Sequence, residues 1–171
     1  MSGTLQVGNI IGPTTGADAN KVLIPSGQTL HAPGHVIQVV ENAFSSNNIT
    51  SSTSYVASDL TATITPTSSS SKILVVISTG ADTNDTNRII HYTLYRNNTT
   101  NLMSGGSVDY MGYARNTAGR VLFPTTFSYT DSPNTTSSVR YTLYHRSGGS
   151  YQTEVPGTLQ TQQITLMEIA Q

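Results

Sequence analysis

Nowhere does this chain repeat apolar residues at the i, i+3, i+4 spacing that gives a helix one apolar stripe, and this constrains its fold more than any motif. The apolar residues follow a different period. Thr61-Ala62-Thr63-Ile64-Thr65 alternates every second residue, as a half-buried strand does. Lys72-Ile73-Leu74-Val75-Val76-Ile77-Ser78 is a continuous apolar run, expected of a strand covered on both faces, and Leu74 is expected in the core. Further strands are predicted at 36–40, 88–96, near 110–115, at 120–129 with a bend at Pro124, at 139–146 and at 163–169. Turn-forming pieces separate them, among them Asn97-Asn98, Asp131-Ser132-Pro133-Asn134 and Ser147-Gly148-Gly149. Ser and Thr make up about 28% of the chain, and such residues oppose helices by competing for backbone hydrogen bonds or losing rotamer freedom. Eight strands over residues 35–171 predict an all-β fold, an antiparallel β-sandwich of jelly-roll-like form, with a barrel as the alternative.

Residues 1–34 read differently. Leu5, Val7, Ile10, Ile11, Val22, Leu23 and Ile24 form short apolar alternations between Gly and Pro punctuation. Such a segment is too small to fold alone. It is predicted to be an extended β-rich arm that docks on partner chains through those seven residues.

Within the second segment, Tyr92-Thr93-Leu94-Tyr95 recurs as Tyr141-Thr142-Leu143-Tyr144. Each copy places Tyr and Leu on one strand face and Thr with the second Tyr on the other. Two similar core strands that pair in register explain this more simply than a functional duplication. On that reading His91 and His145 fall on opposite faces, which argues against a shared ligand role.

Composition excludes several functions. Eight Lys and Arg against nine Asp and Glu give a net charge of -1, against the clustered cations that phosphate binding needs. No cysteine is present, which removes disulfides, thiol nucleophiles and Cys-ligated metals. No apolar stretch is long enough to span a bilayer, and the first residues have no basic n-region or apolar h-region, so synthesis without a secretion signal is expected. No nucleophile elbow or phosphate loop occurs. Asp109 and Glu154 are candidate paired acids without a spacing motif, and Asp82, Asn84 and Asp85 fit a turn better than a calcium loop. No catalytic residue, metal site or cofactor is predicted.

Tyrosine carries the positive signal, with nine Tyr against three Phe and no Trp. Tyr110, Tyr113 and Tyr151 lie in or beside Gly- and Ser-rich stretches, with Arg115 nearby. Loop tyrosines give rigid amphipathic contact area, useful for binding glycans or protein, so these four residues are the predicted binding group.

The segment from Gly12-Pro13-Thr14-Thr15-Gly16 to Gln28-Thr29-Leu30 resembles the N-terminal anchor of tail fibres of marine tailed bacteriophages. Gly34-His35-Val36-Ile37-Gln38-Val39-Val40 and the stretch 61–77 are similar to the β-domain that follows it there. The resemblance implies a homotrimeric virion protein, assembled in the host cytoplasm, with residues 1–34 docked on other virion proteins. Its head would meet a host-surface glycan or protein, with no nucleic acid and no membrane insertion. The chain is much shorter than a typical fibre, which favours a short spike. A capsid decoration protein and, further off, a polysaccharide hydrolase are the alternatives.

Overall fold

The computed structural model describes residues 10–17, 19, 21–24, 26, 32–83, 86–117, 119–156 and 161–171. The chain divides into two compact units, Met1–Ala32 and Pro33–Gln171. The described residues of the first unit form a turn, with Ala19 N–H donating to Gly16 O at 3.2 Å, and no strand. Ile10, Ile11, Val22, Leu23 and Ile24 are exposed there. Leu5 and Val7 lie outside the described residues.

The described residues of the second unit form strands and no helix. The strands are β1 (Val36–Phe44), β2 (Asn48–Thr50), β3 (Val56–Ile64), β4 (Lys72–Thr83), β5 (Ile89–Arg96), β6 (Thr100–Asn101), β7 (Gly112–Arg115), β8 (Val121–Asp131), β9 (Val139–Ser147), β10 (Thr153–Val155) and β11 (Gln162–Ile169). All eight predicted strands form. The short β2, β6 and β10 were not anticipated, because two or three residues cannot display a period. Strand β4 runs five residues past Ser78, since β8 pairs with it as far as Thr83.

Two antiparallel sheets result. In the first, β1, β11, β4 and β8 lie side by side, with β10 and β2 continuing beyond β4 past the end of β11. In the second the order is β3, β9, β5, with β6 and β7 both on the far side of β5. Setting the three short strands aside, the main strands run first-eighth-third-sixth and second-seventh-fourth-fifth. This is the double Greek key of a jelly roll. Pro124 sits inside β8, opposite Gly80; among the described residues β8 pairs only with β4, and an edge strand tolerates a missing N–H. Asn97 and Asn98 both take positive φ, 53° and 58°, and Thr99 N–H closes on Arg96 O at 3.2 Å. This is the two-residue turn whose twist suits the β5–β6 hairpin.

The inner faces meet in one apolar core. Ile73, Val75 and Ile77 of β4 and Ile164 and Leu166 of β11 belong to the same cluster as Leu60 and Ile64 of β3, Leu94 of β5 and Leu143 of β9. The repeated Tyr-Thr-Leu-Tyr strands are neighbours, with Leu94 opposite Leu143. Their first tyrosines point inward and cross to the other sheet. The Tyr92 hydroxyl donates to Gly80 O at 2.9 Å, and the Tyr141 hydroxyl to Asp131 Oδ2 at 2.8 Å. Asp131 also receives Arg96 Nη1 at 2.9 Å, so this buried carboxylate is paired.

Leu74 differs from expectation. It lies on the outer face of β4 and is only half-buried, while its neighbours Ile73 and Val75 face the core. Val75→Asp is therefore expected to cost about 4 kcal/mol or more by burying an unpaired charge, and Leu74→Asp about 1–2 kcal/mol. Thermal unfolding of both variants checks this; equal losses would mean that the inner and outer faces of β4 are misassigned.

His145, on the inner face of β9, is almost wholly buried, and its Nδ1 has no hydrogen-bond partner. Burial pushes its imidazole down to about 4. An unfolded histidine titrates near 6.5, so between these values the unfolded chain binds a proton that the folded chain refuses. This contribution is complete above about pH 6.5 and declines by about 3 kcal/mol as pH falls towards 4. Glu168 acts in the same direction at lower pH, below about 4.5. Burial pushes its carboxyl up, but hydrogen bonds from Gln38 and from Thr67 N–H and hydroxyl outweigh burial and hold it below the ordinary range. The melting temperature should therefore drop between pH 7 and pH 4.5, and His145→Leu should flatten the drop. An unchanged slope in that variant would remove His145 from the account.

Candidate functional site

The outer face of the second sheet collects the aromatic side chains. Alternation along β5 turns His91, Thr93 and Tyr95 outward, and along β9 it turns Arg140, Thr142, Tyr144 and Arg146 outward. Register then decides which meet. His91 stands between Arg146 of β9 and Tyr113 of β7, and Ile89 stands beside Arg115.

At the β7 end these residues form a cavity of about 250 Å³ lined by Ile89, His91, Tyr110, Tyr113 and Arg115. The His91 ring lies 4.9 Å from Tyr110 and 6.1 Å from Tyr113, and the two tyrosines meet edge to face at 5.9 Å. Tyr113 is 59% exposed, so one aromatic face is open to a ligand. Burial pushes the His91 imidazole pKa down and the nearby Arg146 guanidinium adds to this, outweighing Asp109. The imidazole is thus a neutral wall near pH 7. Arg115 donates to Asn87 Oδ1 at 3.4 Å and, among the described residues, forms no ion pair. The site offers stacking surface and the Arg115 guanidinium, which no described acid opposes.

Three of the four predicted residues, Tyr110, Tyr113 and Arg115, meet here. Tyr151 lies alongside with a different task. Its hydroxyl accepts from Ile89 N–H at 2.7 Å, and Arg88 covers its ring at 4.4 Å. It fixes the start of β5 under the cavity. Sequence reading gave no site role to His91, Tyr55, Tyr95 or Tyr144. Tyr95 stacks on Tyr144 at 4.0 Å, and Tyr55 meets Tyr95 at 6.4 Å. The Tyr-Thr-Leu-Tyr repeat already put Tyr95 and Tyr144 on one face, and that signal could have found them. Arg146 lies 4.8 Å over the Tyr55 ring and pairs with Asp109 at 3.2 Å. The Tyr55 hydroxyl donates to Asp109 and is pushed up to about 12, chiefly by burial.

The candidate acids do not converge. Asp109 is held by Arg146 and Tyr55 at the second sheet, whereas Glu154 lies on β10 in the first. Glu154 neighbours Asp82, and Arg120 bridges the two carboxylates. Burial pushes the Glu154 carboxyl up and Asp82 adds to this, with Arg120 opposing. Asn84 and Asp85 lie outside the described residues. Among the described residues no three His, Asp or Glu side chains gather to hold a metal. His145 faces the core and His91 the outside, on adjacent strands.

Gly112 links this site to the core. A Cβ there would stand 2.7 Å from the Phe127 ring of the other sheet. Gly112→Ala is expected to cost about 1–3 kcal/mol and to displace Tyr113. Thermal unfolding and tyrosine near-ultraviolet dichroism check this; an unperturbed variant would show that Phe127 moves aside freely.

Fold and site together define a jelly-roll domain that carries an aromatic, cationic patch on one outer sheet face. No protein-family model matches this sequence, and no curated protein matches it.

Proposed function

We propose that this chain is a structural protein of a tailed bacteriophage virion, a short trimeric tail fibre or spike whose sandwich head adheres to the host surface. The open cavity around His91, Tyr110, Tyr113 and Arg115 carries this reading. Aromatic faces stack on sugar rings and a guanidinium takes a carboxylate, so a surface saccharide suits the site. The head acts by binding alone. Among the described residues no acid lines the cavity, and no metal or cofactor enters the reading. A capsid decoration protein needs no such patch to hold the shell, so that alternative stands second.

Residues 1–34 are the docking arm in this reading. Five exposed apolar side chains, Ile10, Ile11, Val22, Leu23 and Ile24, give it apolar surface to cover. The trimer has its own support. Cross-strand register aligns Val39, Met167 and Leu74 in one row on the outer face of the first sheet, with Val39 51% exposed. Symmetric association would cover that row.

Light scattering on the full chain should give three chain masses, and a monomer would overturn the trimer. Particles assembled with a chain lacking residues 1–34 should lack the protein, although the truncated sandwich still unfolds cooperatively. Normal incorporation of that chain would overturn the anchoring role.

A further inference from the structure

A second concavity lies on the same outer face, towards the β3 edge. Its volume is about 400 Å³, and its walls include Phe44, Ser46, Asp59, Thr61, Asn98 and Arg140. An irregularity in β3 makes it. Between the pairs Ala57–Tyr144 and Thr61–Thr142, β3 takes four steps where β9 takes two. The bulge is held from below, because the Ser58 hydroxyl donates to Leu143 O at 2.8 Å and accepts from Leu60 N–H at 3.2 Å. Asp59, between those two buried residues, is pushed outward. Bulges re-aim side chains in this way beside binding sites.

The polar groups around it are already oriented. Asp59 Oδ2 accepts from the Ser46 hydroxyl at 2.8 Å, and Asp59 N–H donates to Asn48 Oδ1 at 3.0 Å. Thr61 and Thr142 hydroxyls meet at 2.9 Å, and Thr142 donates onward to Asn98 Oδ1 at 3.0 Å. Asn98 itself is fixed by the β5–β6 turn. Arg140 and Asp59 face one cavity without forming an ion pair, and both are exposed. One therefore offers donors and the other an acceptor. Adjacent hydroxyls of a sugar ring both give and take hydrogen bonds, so they can satisfy both groups at once. A phosphate or carboxylate would meet Asp59 unfavourably, and an ammonium would meet Arg140.

We infer that this concavity is a second saccharide subsite, which takes a neutral sugar unit of a polysaccharide whose acidic unit lies against Tyr113 and Arg115. The inference rests on the adhesion reading above. Arg140 lies six residues from Arg146 along β9, and Tyr113 lies two strands across from Arg146. The two subsites are thus about 20 Å apart along the strands and about 10 Å across them. A single sugar cannot reach both, so the head selects chains several units long. The stacked Tyr95–Tyr144 pair lies on the same face between them. Two weak subsites joined by one ligand bind far more tightly than either alone.

The test is a microarray of purified bacterial capsular and O-antigen polysaccharides, read with the full chain and with Asp59→Asn, Arg140→Gln, Ala57→Trp and Tyr113→Ala. Ala57 lines the cavity, and tryptophan there fills it. Thermal unfolding of each variant controls for folding. The expected result is binding of one or more acidic polysaccharides, weakened at least tenfold by each of the three second-subsite variants and by Tyr113→Ala. Binding that Tyr113→Ala abolishes and the other three leave intact overturns the second subsite and leaves adhesion standing. Binding that only the three second-subsite variants weaken supports this subsite and removes the one at Tyr113. No binding by the unaltered chain overturns the adhesion reading and this inference with it.

Discussion

Two tyrosine hydroxyls govern how one sheet lies on the other. Apolar side chains attract without direction, so a core of Ile, Leu and Val leaves the sheets free to slide or rotate by small amounts. Tyr92 and Tyr141 remove that freedom. Each is fully buried, and each must find a partner for its O–H or lose about 1–3 kcal/mol. Both partners, Gly80 O and Asp131, lie in the opposite sheet. Burial pushes both phenols well above their ordinary range, and the neighbouring acids, Asp82 and Asp131, add to this. They therefore remain donors at any pH the fold meets. In a chain without cysteine these polar crossings do the locating that a disulfide does elsewhere.

The same constraint reaches the surface. Once the sheets are located, Phe127 of the first comes so close to β7 that position 112 has room only for glycine. Tyr113 follows it, facing outward. The shape of the aromatic cavity is thus decided partly from inside. On β9 the coupling is more direct, since Tyr141 and Leu143 pack inward while Thr142 and Tyr144 line the outer face. A sheet one side chain thick gives each strand two tasks.

Much of this was legible in the sequence. Period-two alternation marked β3, β5 and β9, and Asn97-Asn98 marked its turn. The apolar run 72–78 marked the central strand, but a run without alternation carries no parity, so the face of Leu74 could not be read from it. Tyr110, Tyr113 and Arg115 were found because aromatic residues in a glycine-rich stretch stand out locally. His91 joins them only through cross-strand register, which no local window contains. Asp59 was less legible still. Its outward aim depends on a count of residues in β3 against those in β9, more than eighty positions away.

The closure of the jelly roll also has a consequence for engineering. The first and last long strands are partners, with Val36 opposite Ile169, and the ladder extends outward through Gly34 N–H to Ala170 O and Ala170 N–H to His35 O. The two ends of the sandwich therefore leave from one spot on one edge. A domain with its ends joined in this way can be spliced into a surface loop of a foreign scaffold at little cost in loop closure. The outer face of the second sheet, on the opposite layer, would remain open for display.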